Sequence, residues 1–293
     1  MRLFARLIVT SSLCLAAVQP AWADDGDEMV AQGVYTKDNW PLEVVNRPLT
    51  LAAGMAEIGG DTLRIGISGG DLLDAWEPIL LAPELRYGLS GQLQIALTHT
   101  NHTFFPPEGF CVSGEDNGCP KGYNGLGANA EYALTRGGNV NLSARGGITT
   151  GRFDPDFALG LTAGLKIRFR GGKIAVIFDP NVYIGVIERD TFPIGMEGDT
   201  HPDWLFIPAW IQYQFNTQAM FYLTSGLNAP FKDMGDFYQI PAGIGTSYAL
   251  NNRMDAGLEL NIGNVAGKDI GPADAQLGKF DERTLILRIA IRI

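Results

Sequence analysis

The sequence predicts an all-β fold, a transmembrane antiparallel up-and-down β-barrel of about 12 strands, and three observations support this prediction. In the last segment, 284–293, Leu and Ile residues alternate with a second face that carries Arg288 and Arg292. A period of two is typical of a β-strand with one face in an apolar medium. The pattern recurs along the chain, and short and long connections alternate between the repeats. Together these features favour strands that cross a bilayer and close into a barrel.

A secretory signal peptide is expected at residues 1–23. Arg2 and Arg6 precede an apolar run at 7–18, and Ala23 ends a short Ala-Trp-Ala sequence before two aspartates. This order of basic, apolar and small residues is typical of a cleaved signal. The apolar run is also much shorter than the roughly 20 residues of a membrane-spanning helix. We therefore expect cleavage after Ala23 and export of the remaining chain.

The charge of the exported chain argues against nucleic acid as a partner. Removing residues 1–23 takes away two arginines and no acidic residue, so 22 basic residues become 20 against 32 acidic ones, and the formal charge is −12. Nucleic-acid binding requires the opposite sign. Cys111 and Cys119 remain in a polar, glycine-rich stretch, and in an oxidising compartment they are expected to form one disulfide. The pattern indicates no metal site and no cofactor.

Residues 24–48 form a polar extension before the first strand. Trp40, Val44 and Val45 are its few apolar anchors, and Pro41 and Pro48 argue against a long helix. We expect this extension to be periplasmic, where it either hangs free or fills the barrel as a plug.

The predicted barrel occupies residues 49–293. At Gly59 and Gly60 the alternation of the first strand changes phase, which a β-bulge would explain. The twelve predicted strands are 49–68, 79–90, 92–101, 125–134, 139–150, 157–170, 173–188, 204–215, 218–227, 238–250, 253–263 and 282–293. Short turns on one side, long loops on the other, an even strand number and termini on the short-turn side are what an outer-membrane barrel requires. A secreted β-sandwich is the alternative, but it has no reason to sort its connections by length.

Over residues 49–293 the chain resembles bacterial outer-membrane β-barrel proteins of the channel and transporter type. The resemblance implies a place in the bacterial outer membrane, with membrane lipid and the barrel assembly machinery as partners; the oligomeric state stays open. In that family the last strand usually ends in an aromatic residue, most often Phe, whereas here it ends in Ile293. This departure concerns the assembly signal and not the alternation of the strand.

Charged residues are expected on the inner face of the barrel. Arg64, Arg288 and Arg292 on the first and last strands would form one basic row, and Lys166 with Arg168 a second, so that anionic solutes would find donors. The inward glycines would leave room for passage. Alternatively the charges are structural pairs that fill the barrel. The predicted pore-lining residues are Arg64, Glu84, Arg86, Glu131, Arg145, Lys166, Arg168, Asp179, Asp255, Glu259, Arg288 and Arg292, with Glu57 as a further inward acid.

Aromatic residues are also predicted on the inner face, on the eighth and ninth strands. They are Trp204, Phe206, Trp210 and Tyr222, with Met220 beside them. They would line a path for an apolar or sugar-like ligand, or else pack against Trp40 and Val44 of the extension.

An enzyme is not expected, because the histidines are badly placed for one. His99 and His102 lie far around the wall from Ser225, and His201 is displaced from Ser225 by about seven residues along the wall, or roughly 24 Å at 3.4 Å per residue. A nucleophile and its base must approach to roughly 3 Å. The sequence therefore favours a channel for small hydrophilic solutes, anionic ones included. The alternatives are a closed structural or surface-interaction barrel with functional loops and, less favoured, a lipid-modifying enzyme.

Overall fold

The computed structural model describes residues 35–67, 76, 78–99, 109–114, 123–135, 137–152, 157–188, 203–232, 234–268 and 280–293. The expected signal peptide at 1–23 and the first part of the extension lie outside these residues. No helix within the described ranges is both long and apolar enough to cross a membrane.

The described residues form nineteen β-strands and one 3₁₀ turn at Val44–Asn46. The strands are β1 Ala56–Gly59, β2 Leu63–Gly66, β3 Ile79–Leu81, β4 Glu84–Gly88, β5 Leu93–His99, β6 Gly109–Ser113, β7 Tyr123–Asn124, β8 Leu126–Ala133, β9 Val140–Arg152, β10 Ala158–Gly171, β11 Ile174–Phe178, β12 Asn181–Ile187, β13 Asp203–Phe206, β14 Ala209–Gln214, β15 Ala219–Ser225, β16 Asn228–Pro230, β17 Ala242–Asn251, β18 Met254–Ile262 and β19 Arg283–Arg292.

These strands build a closed antiparallel barrel of twelve wall strands, which confirms the predicted fold class. Five wall strands consist of two consecutive segments each: β1 with β2, β3 with β4, β11 with β12, β13 with β14 and β15 with β16. The last strand, β19, pairs with β18 on one side and with both β1 and β2 on the other. This double pairing closes the wall, so the barrel has no free edge to protect.

Breaks within wall strands fall at proline or glycine. Pro83 follows β3, Pro180 precedes β12 and Pro208 precedes β14, and proline has no N–H to donate to a ladder. Gly60 has a φ of +88° between β1 and β2, where the sequence predicts a bulge. The neighbouring strands stay joined at these points; for example, Asp179 N–H donates to Pro208 O at 2.9 Å.

The two ends of the barrel differ in their connections. Two-residue turns join β10 to β11 and β17 to β18, and turns of four to six residues join β4 to β5, β8 to β9 and β14 to β15. We call this the turn end; Ile293 also lies here, exchanging backbone hydrogen bonds with Ala56. The opposite end, which carries the long connections, is called the loop end. In an outer-membrane barrel the turn end faces the periplasm.

One predicted loop contributes to the wall. Leu85 of β4 is paired with Leu97 of β5, whereas Leu81 of β3 is paired with Phe110 of β6. Strand β6 therefore takes the place of β5 towards the loop end, and β7 pairs with it on the far side. The predicted strands 92–101 and 125–134 imply a single loop between them; the correction is that Gly109–Ser113 and Tyr123–Asn124 are strand. Alternation over so few residues is too short a signal to identify a strand.

The wall exposes large apolar side chains on its outer face and buries polar ones inside, the reverse of a water-soluble protein. Ile95 and Leu97 on β5 and Ile289 and Ile291 on β19 are exposed, as are many other large apolar side chains around the wall. Their inward neighbours include buried Gln94 and Arg292. In water such a surface would be unfavourable, so this distribution indicates that lipid surrounds the wall.

Candidate functional site in the barrel lumen

The lumen contains a cavity of about 990 Å³. Wall residues such as Arg86, Lys166, Trp210 and Arg288 border it from the sides. Towards the turn end it is bordered by Trp40, Val44 and 47–51 of the segment that precedes the barrel. We call residues 35–55 the floor segment.

Apolar contacts hold the floor segment at two places. Val45 is 1% exposed and packs with Ala175, Met220 and Tyr222 of the wall. Trp40 is buried with Leu51, Ala52 and Met55 of the floor segment itself. At Gly88 a Cβ would overlap Ala52 O, so only glycine lets the wall approach the floor segment so closely at this point. Apolar burial thus fixes the segment across the turn end.

Polar contacts reinforce the floor segment around Arg47. Its guanidinium donates to both Asp255 oxygens, at 2.5 and 2.8 Å, and both side chains are buried. Arg168 donates to Arg47 O, and Arg170 Nη1 donates to Asn46 Oδ1 at 2.7 Å. Bidentate arginine–carboxylate pairs are the strong, geometrically specific kind, so Arg47 is the main polar anchor of the floor segment.

A chain of alternating charges runs along the wall next to the floor segment. Arg292 contacts Asp255 at 2.5 Å and Glu57 at 2.7 Å. Arg86 lies 3.6 Å from Glu57 and 2.5 Å from Glu84. These five residues come from β18, β19, β1 and β4, which the barrel closure brings together. The chain of charges neutralises groups that would otherwise be buried alone.

A second charged cluster lies further towards the loop end, around Arg288. Its guanidinium contacts Asp61 at 2.6 Å and Glu259 at 2.8 Å, and it donates to Tyr222 Oη at 2.6 Å. Asp61 is shared with Arg64 at 3.1 Å. Asp61 therefore joins the basic side chains of the first and last strands.

The opposite wall carries separate pairs. Lys166 Nζ lies 3.2 Å from Glu131, which also accepts hydrogen bonds from Ser143 and Gln94. Arg145 lies 3.0 Å from Asp179.

In three of these pairs the cation is far more exposed to the lumen than its carboxylate. The side chains of Arg86, Arg288 and Lys166 are 36%, 32% and 22% exposed. Their partners Glu84, Glu259 and Glu131 are only 4%, 2% and 5% exposed. At these three pairs a solute in the cavity would therefore meet the basic group first. Asp61 is the reverse case, because it is 23% exposed and its partner Arg64 is 13% exposed.

All twelve charged residues predicted to line the pore border the cavity. Their accessibility differs. Arg168 and Arg292 are buried beside the floor segment. Each of the two expected basic rows therefore contains one buried arginine. Sequence reasoning missed Arg47, Asp61 and Arg170. Asp61 follows the bulge that interrupts the alternation, and Arg47 lies outside any strand, so no periodic signal could have identified these two. Arg170 lies in phase with Lys166 and Arg168 in the predicted strand 157–170, so the alternation could have identified it.

The predicted lumen aromatics separate into two groups. Trp210 and Tyr222 border the cavity and pack near Val44 and Val45. Trp204 and Phe206 stack at 6.0 Å with 11° between their planes and pack with Tyr183.

The inward glycines receive neighbouring side chains. A Cβ on Gly160 would overlap the ring of Tyr183, and one on Gly245 would overlap the ring of Tyr222. These glycines therefore make room for tyrosines packed flat against the wall. The expectation that they leave open passage needs correction at these positions, because the space is already filled.

Among the described residues, His99 and Ser225 each form hydrogen bonds with groups other than one another. His99 Nε2 lies 2.9 Å from Pro83 O, and Nδ1 lies 3.2 Å from Tyr123 Oη. Ser225 donates to Pro241 O at 3.0 Å and is paired with Ala209. His102, His201 and Cys119 lie outside the described residues, so the Cys111–Cys119 disulfide stays a prediction.

A closed barrel with an apolar outer face and a charged interior defines a transmembrane β-barrel protein of the bacterial outer membrane.

No protein-family model matches the sequence, and neither does any curated protein. The fold is similar to that of the NanC porin, with a TM-score of 0.48 and 11% identity over 80% of this chain and 100% of that one. An outer membrane channel from Pseudomonas putida F1 gives a TM-score of 0.48 and 12% identity over 83% of this chain and 97% of that one. The outer membrane channel DcaP of Acinetobacter baumannii gives a TM-score of 0.34 and 12% identity over 82% of this chain and 72% of that one. The class assignment rests on the strand pairing and the apolar outer face.

Proposed function

We propose that this protein is a narrow outer-membrane channel for small hydrophilic solutes, with a preference for anions. The observation that carries the proposal is the position of the cations in front of their carboxylates at Arg86, Lys166 and Arg288. Rings of basic side chains favour anions in a pore. Twelve strands lie between the roughly eight that side chains fill and the 16 to 18 of wide porins, which suits small solutes.

The extension before the barrel has a part in this proposal. The floor segment borders the cavity at the turn end and is held there by Val45, Trp40 and Arg47. We assign to it the role of a plug that restricts flow towards the periplasm. The rate of transport would then depend on how far this segment moves out of the path, and the barrel wall would set the preference among solutes.

The test is the reversal potential of single channels in a planar bilayer under a salt gradient. An Arg86→Gln, Lys166→Gln, Arg288→Gln triple variant removes the cations nearest the lumen and leaves their carboxylates, so the preference should move towards cations. Glutamine keeps hydrogen-bonding capacity in place of each charge. Arg292 is a poor choice for this test, because it is buried between Glu57 and Asp255.

The control is a Lys173→Gln, Arg253→Gln double variant, which removes exposed basic residues from two turns outside the cavity. Its reversal potential should equal that of the unmodified protein. An equal shift in both variants would contradict a selectivity set in the lumen. Absence of conductance from folded protein, both with and without residues 24–47, would favour the closed structural barrel.

A further inference from the structure

Three oxygen-bearing side chains lie on neighbouring parts of the wall in one corner of the lumen near the loop end. Thr224 of β15 is paired with Gly243, Gly243 with Asn261 of β18, and Asn261 with Thr284 of β19. Glu282 lies just before β19, and its backbone carbonyl accepts from Gly263 N–H at 2.8 Å. Thr224, Asn261 and Glu282 all border the cavity.

Two glycines make room for these side chains. A Cβ on Gly243 would overlap Thr224 Oγ1 and would lie 3.1 Å from Asn261 Nδ2. The threonine and the asparagine therefore approach each other over a position without a side chain. In the same way, a Cβ on Gly263 would overlap Glu282 Oε2. The glutamate carboxylate thus covers Gly263, which directly follows β18.

In each of the three side chains an oxygen is buried without a hydrogen-bond partner in the described structure. These atoms are Thr224 Oγ1, Asn261 Oδ1 and Glu282 Oε2. Asn261 is only 3% exposed, and its orientation is determined, because Nδ2 donates to Glu259 Oε1 at 2.8 Å. Turning the amide over would direct its oxygen at a carboxylate. A buried acceptor without a partner costs about 1–3 kcal/mol, and more when it is charged.

We propose that Thr224, Asn261 and Glu282 form a binding site for a hard divalent cation such as calcium. Carboxylate, amide and hydroxyl oxygens are the ligands that such ions accept, in flexible geometry and with water completing the shell. Arg283 and Arg288 of β19 border the cavity on this wall. Arg288 is already occupied by Asp61 and Glu259, and Arg283 makes no hydrogen bond to Glu282 Oε2. A cation would therefore satisfy oxygens that the wall leaves unsatisfied.

The site is weak by composition. Among the described residues no group of three or more His, Cys, Asp or Glu side chains could hold a metal ion, and this cluster supplies one carboxylate with two neutral oxygens. Calcium sites of extracellular modules have dissociation constants of about 10⁻⁴–10⁻³ M. That range suits a site near the loop end, which faces the outside of the cell.

The experiment measures calcium binding to the chelator-stripped, detergent-solubilised exported chain by isothermal titration calorimetry. We expect a dissociation constant of about 10⁻⁴–10⁻³ M and an increase in Tm on adding calcium. Glu282→Gln keeps the size of the side chain and removes its charge, so it should weaken calcium binding by about tenfold or more and abolish the increase in Tm.

A matched control is Glu188→Gln, which makes the same change at an exposed loop-end glutamate that follows β12. It should leave the calcium affinity unchanged within about twofold. Each variant is first shown to fold by its mobility on an unheated gel. Equal calcium affinity in Glu282→Gln and the unmodified protein would overturn the proposal, and so would the absence of binding at about 10 mM, ten times the upper end of the expected range.

Discussion

Arg47 shows how much one residue outside the strands contributes to the lumen. It bonds both oxygens of Asp255 and contacts Pro41 O at 2.9 Å through Nε. Breaking a buried ion pair by removing one partner costs about 3–5 kcal/mol. We expect Arg47→Ala to lower the free energy of unfolding by an amount near the low end of that range, since Arg292 still pairs with Asp255. Urea unfolding in detergent, followed by tryptophan fluorescence, measures it.

Lys37→Ala is the control for this substitution, since Lys37 is an exposed residue of the same floor segment. Exposed substitutions of this kind usually change stability by no more than about 0.5 kcal/mol. A loss of the same size in both variants would mean that the ion pair with Asp255 does not stabilise the segment.

At the scale of elements, the floor segment borders the cavity at the turn end, where we propose that it restricts flow. It contributes Trp40, Val44 and 47–51 to the border of the cavity. Deleting residues 24–47 removes Val45 and Arg47 together with most of the apolar contacts across the opening. We expect single-channel conductance to rise several-fold, because the deletion removes residues that border the cavity at the turn end and leaves the wall strands in place.

The deleted protein must first be shown to fold, by the change in its gel mobility on heating. Arg47→Ala, which keeps the segment and removes its main polar anchor, should give an intermediate conductance or more frequent transitions between levels. Unchanged conductance in the folded deletion variant would show that the segment does not restrict flow.

Alternation alone predicted most of the wall strands, since lipid outside and charge inside impose a period of two on every strand. It did not predict how five wall strands divide, although the divisions fall at Gly60, Pro83, Pro180, Pro208 and Gly226. The lumen charges were predictable for the same reason as the strands. Their partners were not, because pairs such as Arg47 with Asp255 join an irregular segment to a strand far away in sequence.

For the whole molecule, closure predicts resistance to detergent. Every wall strand has a neighbour on both sides, with β19 joining β1 and β2 to β18. Because the described wall strands leave no edge unpaired, sodium dodecyl sulfate is not expected to separate a strand from the wall until heat disrupts the backbone hydrogen bonds. We therefore expect the exported chain to migrate differently on a gel before and after boiling. Identical mobility, or a chain that is soluble without detergent, would contradict the barrel.

The pairing of β19 also sets an order in time. Ala56 and Ile293 exchange hydrogen bonds at 3.1 and 2.9 Å across almost the whole barrel sequence, and contacts of such long range form late and slowly. Until β19 has emerged from the ribosome and crossed the inner membrane, β1, β2 and β18 all keep open edges that can pair wrongly. The unfinished chain therefore needs to be kept apart from its copies for the whole of its passage through the periplasm.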